Sequence, residues 1–403
     1  MWFRLPAGLR PSDEAMSDAL FPICLLLAMS TDGVLVLDRP VSSRLLDNAD
    51  TIQDILLSWH GHKLSRARIE VAARASDAPD RAPGVVACFT GGVDSFYTLV
   101  NNSERITHLV YVHGFDIPLG RADLYAAVAP HLRDVAAEAG VELVEMSSNL
   151  KSFFPHLSWA TMTHGPALAS IGMLLTGRCG TLLIPASHTY SQLYRWGSHP
   201  LLDSRFSTDM VRIEHDGAHA SRVDKTVTLA RSPVAQRHLR VCWQNTGSYN
   251  CGVCGKCLRT KTCLRLAGAL ESFRTFDHVV DPAVLRATPI ANASDLSFVT
   301  ENRDYARAVG DVEIERALSA AIRAYRLSSD PVRRRLKAKL DESRRAHAEL
   351  RRALVRTRRE LRRARDEQAR LREVITSLRS RRAVRLSDAV GRMRASLRRR
   401  GRS

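Results

Sequence analysis

The chain has 403 residues, of which 45% are hydrophobic and 25% charged, and this length suffices for two domains and an appendage. Its net charge of +18 is uneven, because residues 331–403 carry 27 Lys and Arg against 8 Asp and Glu, whereas residues 1–330 are nearly neutral. The high isoelectric point therefore reflects the C-terminal segment and gives no information about an active site in residues 1–330.

Residues 1–80 are predicted to form a small α+β module. Its elements are an apolar segment at Ala19–Met29, a strand at Gly33–Leu37, a helix at Asp50–Trp59 and a short strand at Ile69–Val71. The apolar stretch is too short to span a bilayer, and the residues before it are acidic, which is the wrong charge for a secretion signal. We therefore expect a cytoplasmic protein.

The following segment ends a predicted strand in two glycines. Val85–Phe89 is apolar, and Thr90-Gly91-Gly92-Val93-Asp94-Ser95 comes next, ahead of a helix-compatible segment. Glycine lets the backbone approach an anion, and the amides and dipole of a helix N-terminus favour negative charge, so this loop suits phosphate. The chain lacks the Gly-x-x-x-x-Gly-Lys-Ser/Thr phosphate loop. The alternative interpretation is a glycine turn before an ordinary core helix.

Residues 81–329 alternate strands and helices, as a parallel sheet requires. The predicted strands are Val85–Phe89, Thr107–Val112, Val141–Met146, Thr181–Pro185 and Leu239–Trp243. The predicted helices are Ser95–Asn101, Ala122–Ala139, Gly165–Thr176, Lys225–Ala230 and Leu258–Leu266. We therefore predict an α/β fold, a Rossmann-like parallel sheet with helices on both faces.

Ligands of such sheets bind at the carboxyl ends of the strands. This rule gathers the glycine loop, the turn His113–Asp116 and the segment Ser187–Asp203 around one crevice. His113 and Gly114 are predicted to contact the nucleotide there. His188 and His199 are candidates for general bases or for binding a substrate carboxylate. A structured surface loop with hydrogen-bonded histidines is the other interpretation of this segment.

Four cysteines near residue 250 have metal-ligand spacing. Cys242, Cys251, Cys254 and Cys257 follow the pattern C-x8-C-x2-C-x2-C, with glycines that permit tight turns, and predict a tetrahedral zinc site. One alternative is an iron–sulfur cluster, although Cys263 follows after five residues and no proline comes after it. Another is a pair of disulfides, which a reducing cytosol disfavours.

The two motifs together carry a family resemblance. The loop Thr90–Ser95 resembles the Ser-Gly-Gly-x-Asp-Ser loop of the PP-loop ATP pyrophosphatases, with Thr90 where serine is usual. Loop and cysteine spacing, in this order and separation, resemble those of the 7-cyano-7-deazaguanine synthases over roughly residues 84–267. Asp224–Leu229 matches a Lys-x-x-x-hydrophobic helix of that family at Lys225. The segment Ser187–Tyr190 departs from the family's Tyr-x-Asp-Cys loop, so the resemblance implies the chemistry and leaves the substrate open.

The resemblance implies an ATP-dependent ligase that adenylates a carboxyl or carbonyl oxygen, releases AMP and pyrophosphate, and forms a C–N bond in amidation or nitrile formation. The nucleotide contacts it implies are Thr90, Gly91, Gly92, Val93, Asp94 and Ser95. The glycines and Ser95 would hold pyrophosphate, Asp94 would bind Mg²⁺ or cap the helix, and Lys225 would neutralise developing charge. The substrate would be a small metabolite or a modified base.

Two other functions fit the same residues. A sulfurtransferase of the same superfamily would need a reactive thiol outside the zinc set, and Cys88 is the one near the loop. A non-catalytic adaptor would use the loop to sense nucleotide and the tail to recruit a partner.

Residues 330–403 are predicted to be a basic helical tail. One heptad position holds Leu340, His347, Leu354, Leu361, Gln368 and Ile375, and the other holds Leu336, Ser343, Leu350, Thr357, Ala364, Leu371 and Leu378. Nine of these thirteen residues are apolar, which favours a coiled coil and a homodimer. The arginine surplus suits contact with an anionic membrane, nucleic acid or acidic glycan, and the alternative is a solvated helix face.

Overall fold

Eight strands form two sheets in the computed structural model, which describes residues 1–75, 80–244, 249–329 and 331–400. The strands are β1 (Phe3–Arg4), β2 (Val34–Leu37), β3 (Arg68–Val71), β4 (Val85–Cys88), β5 (His108–His113), β6 (Glu142–Ser148), β7 (Thr181–Pro185) and β8 (Arg212–Asp216). The helices are α1 (Asp13–Ser30), α2 (Ser43–His60), α3 (Val93–Asn101), α4 (Ala122–Glu138), α5 (Leu150–Phe153), α6 (His164–Leu174), α7 (Pro200–Asp203), α8 (Arg222–Leu229), α9 (Pro233–His238), α10 (Gly255–Leu266), α11 (Pro282–Arg286), α12 (Ala293–Val309), α13 (Val312–Ser329) and α14 (Pro331–Arg400). The chain divides into two compact units, Met1–Tyr325 and Arg326–Ser403.

The larger sheet has the strand order β1-β6-β5-β4-β7-β8. Neighbouring strands are parallel except for the edge pair of β1 with β6. The chain moves outward from β4 through β5 to β6 and then returns to place β7 and β8 on the other side of β4. In doubly wound sheets, ligands bind outside the carboxyl ends of the strands where the direction reverses in this way. The glycine loop follows β4 at that point.

Alternate residues of the central strands face two separate hydrophobic cores. In β4, Val86 and Cys88 belong to a core shared with α1, α2 and α6, whereas Ala87 belongs to a core shared with α3, α4 and α10. Helices therefore cover both faces, which explains why these strands are nearly continuous apolar runs in the sequence. The predicted α/β architecture with a mostly parallel sheet is confirmed.

Residues 1–75 share a core with the central sheet. Phe21 and Met29 of α1 and Ile52 of α2 lie in the same hydrophobic cluster as Val86 and Ile184 of the sheet. The strand β1 also extends the main sheet. The predicted helix and the two strands of this region are present, but residue 80 does not divide two compact units. The reason is that α1 is apolar around most of its circumference and needs packing partners on several sides.

The predicted strand at Leu239–Trp243 is wrong. Three backbone groups of this segment bond to one side chain instead of to a neighbouring strand: the amides of Val241 and Cys242 donate to Asn250 Oδ1 at 2.8 and 3.2 Å, and Asn250 Nδ2 donates to the carbonyl of Leu239 at 2.9 Å. The Arg240 amide donates to the carbonyl of Gly91 at 2.8 Å. The fifth parallel strand of the sheet is β8, which pairs with β7. Sequence reasoning missed β8 because only Ile213 of that strand is fully buried.

The second compact unit consists mainly of α14, which confirms the predicted long C-terminal helix. This helix has 70 residues and is about 105 Å long. Its described side chains are almost all exposed. Among the residues that the structure describes, no helix combines the length and the hydropathy needed to cross a bilayer.

Candidate functional site

The glycine loop connects the central strand β4 to α3. Gly91 has φ +77°, in the left-handed region, and Gly92 occupies the N-cap of α3 in an extended conformation. The Ser95 hydroxyl donates to the carbonyl of Gly92 at 3.0 Å and accepts from the amide of Thr90 at 3.4 Å. Ser95 is buried and therefore fixes the turn. The first amides of α3, which have no partner within the helix, lie at the carboxyl end of β4.

Asp94 sits between two cations. Its carboxylate accepts from Arg222 Nη2 at 2.7 Å and from Lys225 Nζ at 3.3 Å. Lys225 is buried and also donates to the carbonyl of Ala186, just after β7, at 2.6 Å. Burial raises the pKa of Asp94, but the charges of Arg222 and Lys225 outweigh it and lower the pKa to about 2. Asp94 is thus ionised at neutral pH and holds both cations beside the loop.

A small cavity of about 90 Å³ opens on the glycine loop. Thr90, Gly92, Val93, Asp94 and Ser95 line it from the glycine loop and the first turn of α3. Four basic side chains line it from α8, α10 and the segment after α9: Arg222, Arg240, Lys256 and Arg259. Asp116 is the other carboxylate of the lining and accepts from Arg240 Nη1 at 2.6 Å. Four cations against two carboxylates make this cavity suitable for a polyanion such as a phosphate chain.

A larger cavity of about 660 Å³ shares part of its wall with the small one. The common residues are Asp94, Arg222, Lys256 and Arg259. The rest of its wall combines aliphatic and polar side chains with five rings: His188, Tyr194, Trp196, Trp243 and Phe298. A cavity of this size and character fits a small organic molecule next to the polyanion site.

Phe298 of α12 links the basic and aromatic parts of the wall. The guanidinium carbon of Arg259 lies 3.9 Å from the ring centroid of Phe298, and that of Arg222 lies 5.3 Å away. His188 stacks on the same ring at 5.7 Å. Because Arg carries its charge on a planar group, this stacking fixes where both guanidinium groups point.

His188 lines the larger cavity, with its ring buried against Trp196 and Phe298. Tyr194 Oη lies 3.0 Å from His188 Nε2. Burial lowers the pKa of His188 to about 4, and the charge of Arg222 acts in the same direction. The imidazole is therefore neutral at physiological pH and suits a hydrogen-bonding or base role better than that of a cation.

His199 is not among the described residues that line either cavity. Its Nδ1 accepts from the amide of Leu201 at 3.1 Å at the start of α7, and its ring packs edge-on against Trp59 at 4.9 Å. The structure therefore gives His199 a capping and packing position, away from the crevice where the sequence predicted it.

His113 and Gly114 also do not line the two cavities. His113 stacks on Tyr125 at 4.3 Å, and its Nε2 lies 3.2 Å from the carbonyl of Pro118. Gly114 has φ +108°, and a Cβ there would meet the carbonyl oxygen of Ser148 at 2.0 Å, so this glycine is a requirement of the turn. What the turn contributes to the site is Asp116.

The four predicted metal ligands converge. The sulfurs of Cys242, Cys251, Cys254 and Cys257 all lie within 4.8 Å of one another. Gly252, at φ +73°, permits the turn after Cys251, and Cys254 is the N-cap of α10. The Cys251 and Cys257 sulfurs are 3.9 Å apart, close to the edge of a tetrahedral zinc–thiolate site. The cluster can hold a metal such as zinc, and Cys263 lies outside it.

Backbone amides donate to two sulfurs of this cluster. The amide of Cys254 donates to the sulfur of Cys251 at 3.3 Å, and that of Cys257 donates to the sulfur of Cys254 at 3.5 Å. All eight cysteines are free in the structure, which therefore contains neither disulfide of that alternative. Cys242 lines the small cavity and Cys254 the large one, which places the cluster directly beside the glycine loop.

Cys88 lies on β4 inside the hydrophobic core. Burial raises the pKa of the Cys88 thiol far above its usual range. An activated thiol needs exposure and nearby positive charge, so this position is unsuited to a sulfur nucleophile.

Sequence reasoning assigned none of the four cations that line the small cavity. Lys256 lies inside the cysteine motif and Arg259 two residues after it, and the three-residue spacing on α10 places them on one helical face. Arg222 stands three residues before Lys225 on α8 in the same way. These helical spacings could have identified the three residues as candidates from the sequence. No such pattern marks Arg240, because its segment was predicted to be a strand.

No protein-family model, curated protein or solved structure matches this chain.

Proposed function

We propose that this protein is an ATP-dependent ligase that cleaves ATP between the α and β phosphates. The observation that carries the proposal is the glycine loop at the carboxyl end of β4, lined by four basic side chains and next to a second cavity that shares part of its wall. Phosphates would accept from the first amides of α3 and from Arg222, Arg240 and Arg259. The chain has no phosphate-loop lysine of the kind used in γ-phosphate transfer.

The reaction would have two steps, adenylation of the substrate and formation of the C–N bond. An oxygen of the substrate's carboxyl or carbonyl group attacks the α-phosphorus, the bond to the β-phosphate oxygen breaks, and pyrophosphate leaves. A nitrogen nucleophile then attacks the activated carbon, AMP leaves with the former substrate oxygen, and a proton is released from nitrogen. Because pyrophosphate gains charge as it leaves, prearranged cations contribute most at that stage. Neutral His188, in the adjoining cavity, is a suitable acceptor for the proton.

Asp94 would act on the reaction through its partners. Its carboxylate is already engaged by Arg222 and Lys225, so it positions those two cations at the loop. Asp116 is likewise paired, with Arg240. We therefore expect Mg²⁺ to enter with the phosphates of ATP, and the two carboxylates to be weak metal ligands by themselves.

Zinc in the cysteine cluster would have a structural role. With four thiolates it would be a closed site without an open position for substrate. The cluster sits at the start of α10, which carries Lys256 and Arg259 in its first two turns. Zinc would thus fix the helix that supplies two of the four cations.

Arg259→Ala tests this arrangement. We expect it to weaken ATP binding and to lower adenylation at least about 100-fold, since the variant removes a positioned cation and its stacking on Phe298. Calorimetric titration with ATP and substrate-dependent exchange of labelled pyrophosphate into ATP measure the two effects. Arg231→Ala is the matched control, because Arg231 is exposed and is not among the described residues lining either cavity. Equal effects of the two variants would contradict the proposal.

A further inference from the structure

The helix α14 carries an uncovered apolar stripe. Its described members include Leu336, Leu340, Leu350, Leu354 and Leu361, and the fractional exposure of these side chains lies between 51% and 70%. Leu371, Ile375 and Leu378 continue the same heptad positions at 50% to 55% exposure. From Leu336 to Leu378 the stripe is about 63 Å long. Exposed apolar patches of such extent mark an interaction surface.

The charges beside the stripe are asymmetric. With Leu340, Leu354, Leu361 and Ile375 at position a, the residues at position e are all arginine over six consecutive heptads: Arg344, Arg351, Arg358, Arg365, Arg372 and Arg379. Position g, on the other side of the stripe, contains Glu360 and Glu367. Charges at e and g decide partner and orientation in coiled coils.

We propose that α14 pairs in parallel and in register with α14 of a second copy of this chain. In a parallel pair, each g residue faces the e residue of the next heptad in the partner, so Glu360 meets Arg365 of the second copy and Glu367 meets Arg372. Both contacts occur twice by symmetry. One like-charge contact, Lys339 with Arg344, opposes them.

An antiparallel pair would be electrostatically unfavourable. In that arrangement e faces e, so the six arginines of one helix would lie against the six of the other. The stripe thus favours a second helix, and the charge pattern selects the parallel orientation. This inference does not depend on the proposed ligase activity.

The mass of the full-length chain in solution tests the pairing. Sedimentation equilibrium should give twice the chain mass of 44.8 kDa. Leu354→Asp places a charge in the stripe and should raise the dissociation constant at least about tenfold. Val355→Asp is the matched control, since Val355 is equally exposed but lies beside the stripe, and it should leave the dimer intact. Circular dichroism would show that both variants keep their helix content.

Disulfide trapping tests the orientation. Residues 331–403 contain no cysteine, so a cysteine introduced there is a unique probe of the tail. Leu340→Cys and Leu378→Cys should each cross-link to the same position of a second copy, whereas Arg345→Cys, on the outer face of the helix, should not.

Three results would overturn the proposal. The first is a monomeric wild-type chain. A monomer whose tail binds vesicles rich in anionic lipid is one form of this result. The second is a dimer that Leu354→Asp and Val355→Asp affect equally. The third is cross-linking that appears only when Leu340→Cys and Leu378→Cys chains are mixed, since that would mean antiparallel pairing.

Discussion

Asp94 is the residue on which the geometry of the small cavity depends. It is the common partner of Arg222 and Lys225, and Lys225 is buried with the carbonyl of Ala186 as its other described acceptor. Removing the charge of Asp94 leaves two cations close together without their counterion. This change alters both the position and the charge balance of the two cations, an effect that loss of a simple helix-capping aspartate would not have.

We expect Asp94→Asn to lower ATP turnover at least about 100-fold and to reduce the free energy of unfolding by roughly 2 kcal/mol at neutral pH. The stability effect follows from the pKa of Asp94, which is lowered from 3.8 to about 2 in the folded protein. A lowered carboxyl pKa stabilises the fold above about pH 4, and this contribution is lost as the pH falls towards 2.

Urea unfolding of the wild type and of Asp94→Asn between pH 7 and pH 3 measures this difference. The gap in unfolding free energy should be constant from pH 7 to about pH 5 and should narrow below about pH 4. A gap that stays constant to pH 3, or an Asp94→Asn variant with unchanged turnover, would show that the pairing with Arg222 and Lys225 has no such role.

At the scale of elements, the start of α10 joins the cysteine cluster to the cationic wall. Cys254 caps the helix, Cys257 lies in its first turn, and Lys256 and Arg259 line the cavities from the same two turns. Metal binding to the four thiolates would therefore contribute to folding and to the position of two cations together.

Cys251→Ser tests this coupling. We expect about one zinc per chain in the wild type, its loss in the variant, and reduced solubility, because metal binding is part of the folding free energy. Cys24→Ser is the control, since Cys24 is partly exposed and lies outside the cluster. Cys179 is less suitable, because a serine at this fully buried position would place a hydroxyl in the apolar core. Elemental analysis that finds iron with sulfide, or soluble wild-type protein without metal, would refute the zinc assignment.

Elements with strong local signals could be predicted from the sequence. The strands β4 to β7 and the helix α3 were predicted within two residues, because apolar runs and the two glycines mark them without reference to the rest of the chain. The segment Leu239–Trp243 was wrongly predicted as a strand, because no local sequence pattern shows that three of its backbone groups bond to the side chain of Asn250. The cationic lining could not be predicted as a group, because α8, α10 and the segment after α9 meet only in the folded chain.

At the scale of the whole molecule, charge and structure divide the chain at nearly the same place. The structure separates Met1–Tyr325 from Arg326–Ser403, four residues before the boundary predicted from composition. The first unit is nearly neutral and contains the glycine loop, both cavities and the cysteine cluster, whereas residues 331–403 carry a net charge of +19.

We therefore expect a truncation ending at Ser329 to remain folded and to keep its ATP turnover. It retains α13, whose buried residues Ile314, Leu318 and Ile322 belong to the core that also contains Phe96 of α3. It should also lose self-association, since the stripe of α14 is removed. Thermal unfolding, turnover and sedimentation of the truncated protein check these outcomes. An insoluble or inactive product would mean that the tail belongs to the catalytic fold.

The identity of the nucleotide product decides whether this protein is a ligase of the proposed kind. The purified full-length protein is incubated with Mg²⁺, ammonium, a small-molecule extract and ATP labelled at the α-phosphorus, and the labelled products are separated. We expect labelled AMP and an equal amount of pyrophosphate, both greatly reduced in Arg259→Ala and unchanged in Arg231→Ala. Labelled ADP as the product, or a wild-type protein that does not bind ATP, would contradict the proposal.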